Sequence, residues 1–85
     1  MHIMTITLTA QEIDILMLQD PATKEDGGYQ RLLIKLQEKL YRNSLDLSDE
    51  DLERIPKYAF DYGNGGWENR LKGIFQNSLG ENLGR

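Results

Sequence analysis

The sequence predicts an all-α fold: two pseudo-repeated helical hairpins, over residues 8–42 and 47–80, packed as a compact four-helix domain, with one short extended strand admitted at the N-terminus. Three observations predict it. First, the chain repeats itself. Leu8-Thr9-x-x-Glu12-Ile13-x-x-Leu16 leads to Asp26-Gly27-Gly28-Tyr29 and then to Leu33 and Leu36. Leu47-Ser48-x-x-Asp51-Leu52-x-x-Ile55 leads in the same way to Asn64-Gly65-Gly66-Trp67 and then to Leu71 and Ile74. The front motifs lie 39 positions apart (Leu8 to Leu47) and the Gly-Gly corners 38 apart (Gly27 to Gly65). A unit made twice usually covers the apolar face of its own copy. Second, apolar residues recur at helical spacing through most of the chain. Third, no segment alternates with period two for long enough to argue a sheet.

The first helix opens at Thr9, whose hydroxyl can accept from an amide of the first turn while Glu12 reaches back, a capping box. Ile13, Leu16 and Met17 follow on one face, and Ile15 and Leu18 widen it so far that little of the helix can face water. Asp20-Pro21 ends it, because the residue before proline is pushed out of the α region. The second helix places Tyr29, Leu32, Leu33, Leu36 and Leu40 on one face and is expected to stop around Asn43-Ser44. Ser48 and Asp51 form the second capping box. Pro56 falls about two turns into the third helix, so a kink or a fresh start is expected there. The fourth helix buries Trp67, Leu71, Ile74, Phe75 and Leu79 and ends at Gly80, leaving 81–85 as a flexible tail. Met4 to Leu8 has strand composition but no evident partner within the chain.

Length allows one domain, residues 1–85. With 39% apolar and 28% charged residues the chain is composed like a folded protein. Cysteine is absent, which removes disulfides, thiolate chemistry and cysteine-bound zinc. The longest apolar run, Ile15 to Leu18, is too short to span a bilayer, and no stretch resembles a secretory leader, so a cytoplasmic location without membrane association is expected. The net charge of −4 disfavours phosphate contact, which needs clustered cations, and suits a surface offered to a basic protein.

No catalytic constellation is visible. His2 is terminal and lacks supporting residues, the acidic run from Asp46 to Glu53 lacks the spacing and glycine of a calcium loop, and no serine sits in a nucleophile elbow. The chain is therefore read as a non-enzyme with no cofactor and no metal. The corners Asp26-Gly27-Gly28-Tyr29 and Asn64-Gly65-Gly66-Trp67 are read as helix starts, with Asp26 or Asn64 as the cap. An anion site is the weaker reading, since Asp26 brings a negative charge and no lysine follows. Asp61 with Arg70, and Asp20 or Asp26 with Arg31, are candidate bracing ion pairs.

The functional candidate is the segment from Tyr58 to Trp67, with four aromatic residues in ten positions. At about 100° per residue, Tyr58, Phe60 and Tyr62 cannot share one helix face, so some of these rings must meet solvent or a partner. Tyr58, Phe60, Asp61, Tyr62, Asn64 and Trp67 are the candidate partner-binding residues, because Tyr and Trp anchor interfaces. The greasy first helix also points to a homodimer. The alternative partner is nucleic acid, with Arg31, Lys35, Lys39 and Arg42 forming a basic stripe on the second helix of a helix-turn-helix.

Gln19-Asp20-Pro21-Ala22-Thr23, Asp26-Gly27-Gly28-Tyr29 and the stretch from Asp51-Leu52-Glu53-Arg54-Ile55 to Ile74-Phe75, with Tyr-Ala-Phe-Asp-Tyr before Gly-Gly-Trp, resemble a group of small bacterial and prophage-borne proteins. The resemblance covers most of residues 5–83. It implies a compact helical accessory protein of mobile elements, one that blocks a host defence system such as CRISPR by occupying a protein surface. It assigns no residue a role.

Overall fold

Two five-residue segments overturn the all-α expectation. The computed structural model describes residues 3–80 together with Leu83. In it Ile3–Thr7 (β1) and Ser44–Ser48 (β2) form an antiparallel two-stranded sheet, with Ile3 opposite Ser48, Thr5 opposite Asp46 and Thr7 opposite Ser44. Around it stand four α-helices among the described residues: Ala10–Met17 (α1), Gly28–Lys39 (α2), Asp49–Pro56 (α3) and Gly65–Leu79 (α4). The units are therefore not helical hairpins. Each runs strand, helix, helix, and the strand at the N-terminus has its partner inside the chain.

The alternation that drives the sheet is real but short. Leu45 and Leu47 are fully buried while Asp46 between them is exposed, and Ile6 and Leu8 alternate likewise with Thr5 and Thr7. Five residues of period two give a weak signal, and the second helix takes up less chain than expected. It stops at Lys39, with Leu40 already extended, and a tight turn follows in which Tyr41 and Ser44 exchange backbone hydrogen bonds of 3.0 and 2.9 Å. Arg42 makes that reversal at φ 59°, a conformation that costs a side-chain-bearing residue about 1 kcal/mol or more.

Both capping boxes form. Thr9 accepts from the Glu12 amide at 3.2 Å and donates its own amide to Glu12 Oε1 at 2.8 Å, and Ser48 and Asp51 reproduce this at 3.2 and 3.0 Å. The C-terminus of α1 is closed from outside by Gln37, whose amide donates to the Leu16 and Gln19 carbonyls at 3.0 and 2.8 Å. The core fills the space between sheet and helices: Ile6, Leu8, Leu45 and Leu47 meet Leu16, Leu33, Leu36, Ile55, Leu71, Ile74 and Phe75. Of the expected tail, 81, 82, 84 and 85 lie outside the described residues, whereas Leu83 is buried and its amide donates to the Gly80 carbonyl at 3.1 Å.

Two contacts join a residue to its own counterpart in the repeat. Ile6 lies opposite Leu45, and the 39-residue offset carries one onto the other. Tyr29 stacks on Trp67, the pair related by the 38-residue offset, with ring centroids 4.5 Å apart and planes 9° from parallel. A twofold relation between the halves requires self-equivalent contacts of this kind, and it runs through the sheet and the aromatic stack alike.

Candidate functional site

The second of these contacts organises the best candidate site. Pro56 ends α3 because it lacks an N–H and its ring crowds the preceding turn. The chain does not restart there. It widens into a π-helical segment, Lys57–Asp61, a form that clusters at functional sites. Gly63 then turns the chain at φ 64°, and Asn64 starts α4 by accepting from the Gly66 and Trp67 amides at 3.0 and 3.1 Å.

This path brings three of the expected rings together and adds a fourth. Tyr58 and Tyr62 stack at 5.1 Å, and both meet Trp67 edge-on, at 5.9 and 5.8 Å. Tyr29 joins from α2, stacked on Trp67 and edge-on to Tyr58 at 6.2 Å. Exposure rises outward through the cluster: Tyr29 is buried, Tyr58 and Trp67 are partly buried, and Tyr62 is 54% exposed. Asp61, Asn64, Gly65 and Gly66 are exposed beside it. Phe60 is set apart, half-buried with the Lys72 ammonium 5.5 Å from its ring centre, so it is not part of the cluster.

The two corners differ. Asp26 does not cap α2: Gly27 is its N-cap and provides no side chain, while Asp20 caps the preceding 3₁₀ turn through the Ala22 amide at 2.9 Å. Gly28 serves close approach instead, because a methyl group there would overlap the Tyr58 hydroxyl. The sequence treats Tyr29 as a structural corner only; its 38-residue relation to Trp67 is the signal that would have drawn it into the cluster. Among the bracing pairs, Arg31 binds Glu25 at 2.7 Å, and Arg70 donates to Gln19 Oε1 at 2.8 Å.

Burial raises the Tyr29 pKa, and the neighbouring Arg70 guanidinium offsets part of the rise. The Tyr29 hydroxyl is buried, and the Arg70 guanidinium is its polar neighbour without reaching full hydrogen-bond geometry.

A concavity of about 360 Å³ lies between α2 and α3, lined by Leu32, Lys35, Lys39, Ser48, Asp51 and Arg54 among others. Its charges are largely consumed by one another. Lys39 binds Asp51, Arg54 binds Glu50 at 2.9 Å, and Glu38 is drawn out to Lys24 at 3.0 Å. For Asp51, burial acts to raise the pKa, but hydrogen bonds from Lys39 and the Ser48 amide outweigh it and hold the carboxylate below its ordinary range. These are the bonds of a cap and its brace.

Among the described residues, no group of three or more His, Cys, Asp or Glu side chains could hold a metal ion, and no helix is long and apolar enough to cross a membrane. His2 lies outside the described residues. No family model, no curated protein and no solved structure matches the chain.

Proposed function

We propose that the protein is a non-enzymatic binding protein and that its partner is a protein docked on the ridge formed by Tyr58, Tyr62 and Trp67, with Asp61 and Asn64 at its rim. The observation that carries this reading is Tyr62: a large ring more than half exposed yet stacked on Tyr58 and braced edge-on by Trp67. Such a ring costs little entropy to immobilise on binding and offers an apolar face with a polar tip, which is how interface anchors work. An acidic partner surface is disfavoured by the net charge of −4, and a neutral or basic one is favoured. The nucleic-acid alternative draws no support, because Arg31 and Lys39 of the expected basic stripe are each engaged by a carboxylate and Arg42 packs 5.4 Å over the Tyr41 ring.

The test is Tyr62→Ala, which removes the exposed anchor and leaves the Tyr29–Trp67 stack in place. Affinity capture from a bacterial lysate is expected to retain a partner with the unsubstituted chain and to lose it with the variant. On the purified pair the loss is expected to be about thirtyfold in affinity, typical of an interface anchor. Circular dichroism and thermal melts should match between the two chains. Undiminished retention by a folded Tyr62→Ala chain sinks the reading.

A further inference from the structure

We infer that β1 pairs edge to edge with β1 of a second copy of this chain, antiparallel, so that two molecules build a four-stranded sheet in the order β2, β1, β1, β2. This surface shares no residue with the aromatic ridge, so the two readings stand or fall separately.

The ladder defines which backbone groups are left over. The Leu8 amide donates to the Asn43 carbonyl at 2.8 Å, and the register sets Ile6 opposite Leu45 and Met4 opposite Leu47. In an antiparallel pair, alternate residues direct both backbone groups at the partner strand and the intervening ones direct theirs away. Met4, Ile6 and Leu8 therefore bond inward to β2, while Ile3, Thr5 and Thr7 present their N–H and C=O groups to the other side. The sheet has only two strands, and among the described residues no backbone group meets Ile3, Thr5 or Thr7 on that side.

The edge of β2 is closed by contrast. Ser44 spends both backbone groups on Tyr41 and the Ser48 amide donates to Asp51 Oδ2 at 3.0 Å, while the Asp46 carboxylate turns to β1 and accepts from Thr5 Oγ1 at 2.7 Å. Cover at both ends of the strand is a usual guard of an edge. No such backbone cover meets β1 among the described residues. From Ile3 to Ala10 there is no ionisable side chain, no proline and no glycine, in a chain of which 28% is charged.

That absence of charge selects a second copy as the occupant. Two molecules of net charge −4 repel, and they meet most easily along a strand with no ionisable side chain of its own, where the nearest carboxylate, Asp46, is already held by the Thr5 hydroxyl at 2.7 Å. An antiparallel pair centred on Thr5 is self-complementary: Thr5 faces Thr5 of the other copy through its backbone and methyl group, its hydroxyl staying on Asp46, and each Ile3, 60% exposed in the single chain, comes to lie against the other copy's Thr7. The chain already makes one contact of this geometry internally, where Ile6 meets its repeat counterpart Leu45 about the pseudo-twofold.

Sedimentation of the full chain over a concentration series tests the inference, read beside residue-specific amide exchange. The unsubstituted chain is expected to dimerise as concentration rises, with exchange slowing at the Thr5 and Thr7 amides. Thr5→Pro removes an outward-facing donor without touching the inward ladder, and Thr7→Lys places a guard on the edge. Each is expected to raise the dimer dissociation constant at least about tenfold. Should Thr5→Pro disturb the fold, as judged by circular dichroism, Thr7→Lys decides alone. A chain that stays monomeric throughout the series overturns the inference. So does a dimer that survives in the folded variants, which would place its interface elsewhere, for example on the exposed Met17 and Leu18 of α1.

Discussion

Tyr29 illustrates how one residue can serve the fold with its ring and burden it with its hydroxyl. Its ring stacks on Trp67 at 4.5 Å, while the buried hydroxyl has only the Arg70 guanidinium nearby, short of full hydrogen-bond geometry. Ionising it in place would be harder still, since burial lifts its pKa above the ordinary tyrosine value of about 10, with Arg70 only partly opposing. A raised acid pKa has a definite sign in linkage. The contribution is fully present below the unfolded-state value and is lost as pH climbs through the folded-state value. Alkaline difference spectroscopy should therefore find one of the four tyrosines titrating late, together with unfolding. Tyr29→Phe keeps the stack and removes the poorly satisfied hydroxyl. It is expected to be neutral or to add about 1 kcal/mol of stability at neutral pH, and to abolish the late titration. A marked loss of stability in that variant, by thermal melt, would mean the hydroxyl has a partner after all.

At the scale of elements, the capping box of α3 makes a claim about acid. Asp51 completes the box with Ser48 and takes an ion pair from Lys39, and these hold its pKa down against the opposing effect of burial. A depressed carboxylate contributes stability that is present above its unfolded-state value, near 4, and that fades as pH falls through the folded-state value. Asp51→Asn can still accept from the Ser48 amide but forfeits the ion pair, and the Lys39 side chain is 36% exposed. The cost at neutral pH is therefore expected to be modest, about 1 kcal/mol. Urea melts of both chains at several pH values should show that gap closing on acidification. A gap independent of pH would contradict the account.

The same box shows what could be read before any coordinates. Thr9 with Glu12 and Ser48 with Asp51 are local chemistry, complete within four residues, and both form. The strand Ser44–Ser48 is not local in that sense. Its five residues gain meaning only when β1 lies alongside, 41 positions away between Thr5 and Asp46, so a window along the chain reads it as the end of α2 and a connection. The π-helical turn after Pro56 was half-legible: proline announces a break, but whether the chain kinks, restarts or widens depends on what the next rings can pack against. Ring density singles out residues 58–67 as a candidate surface. It could not say that Phe60 would leave the cluster for Lys72, because the direction of each ring is set by α4.

On the scale of the whole molecule, the halves are alike where they touch on the axis and unlike away from it. Ile15 of α1 packs close against Gly73 of α4, where an added methyl would lie 3.1 Å from its Cδ1. The repeat counterparts are Arg54 and Lys35, by the offsets of 39 and 38, and there α3 and α2 stand apart around the charged cleft. One side of the molecule is sealed by an apolar contact and the other is held by ion pairs, which contribute less per contact near solvent. Even so, neither half has a core of its own. Ile6 and Leu8 from one half and Leu45 and Leu47 from the other line the same interior, and the Tyr29–Trp67 stack closes the aromatic end. The expected consequence is a single cooperative unfolding step. Trp67, the sole tryptophan, reports on the aromatic end, while far-ultraviolet dichroism reports on all four helices. In urea the two signals should trace one transition with one midpoint. Leu45→Ala, at the sheet, leaves a cavity worth about 2–5 kcal/mol and should move both curves equally, although it lies in the sheet and Trp67 does not. A fluorescence transition that stays in place while the dichroism shifts would show that the halves unfold separately, and would remove the shared sheet and stack as the source of cohesion.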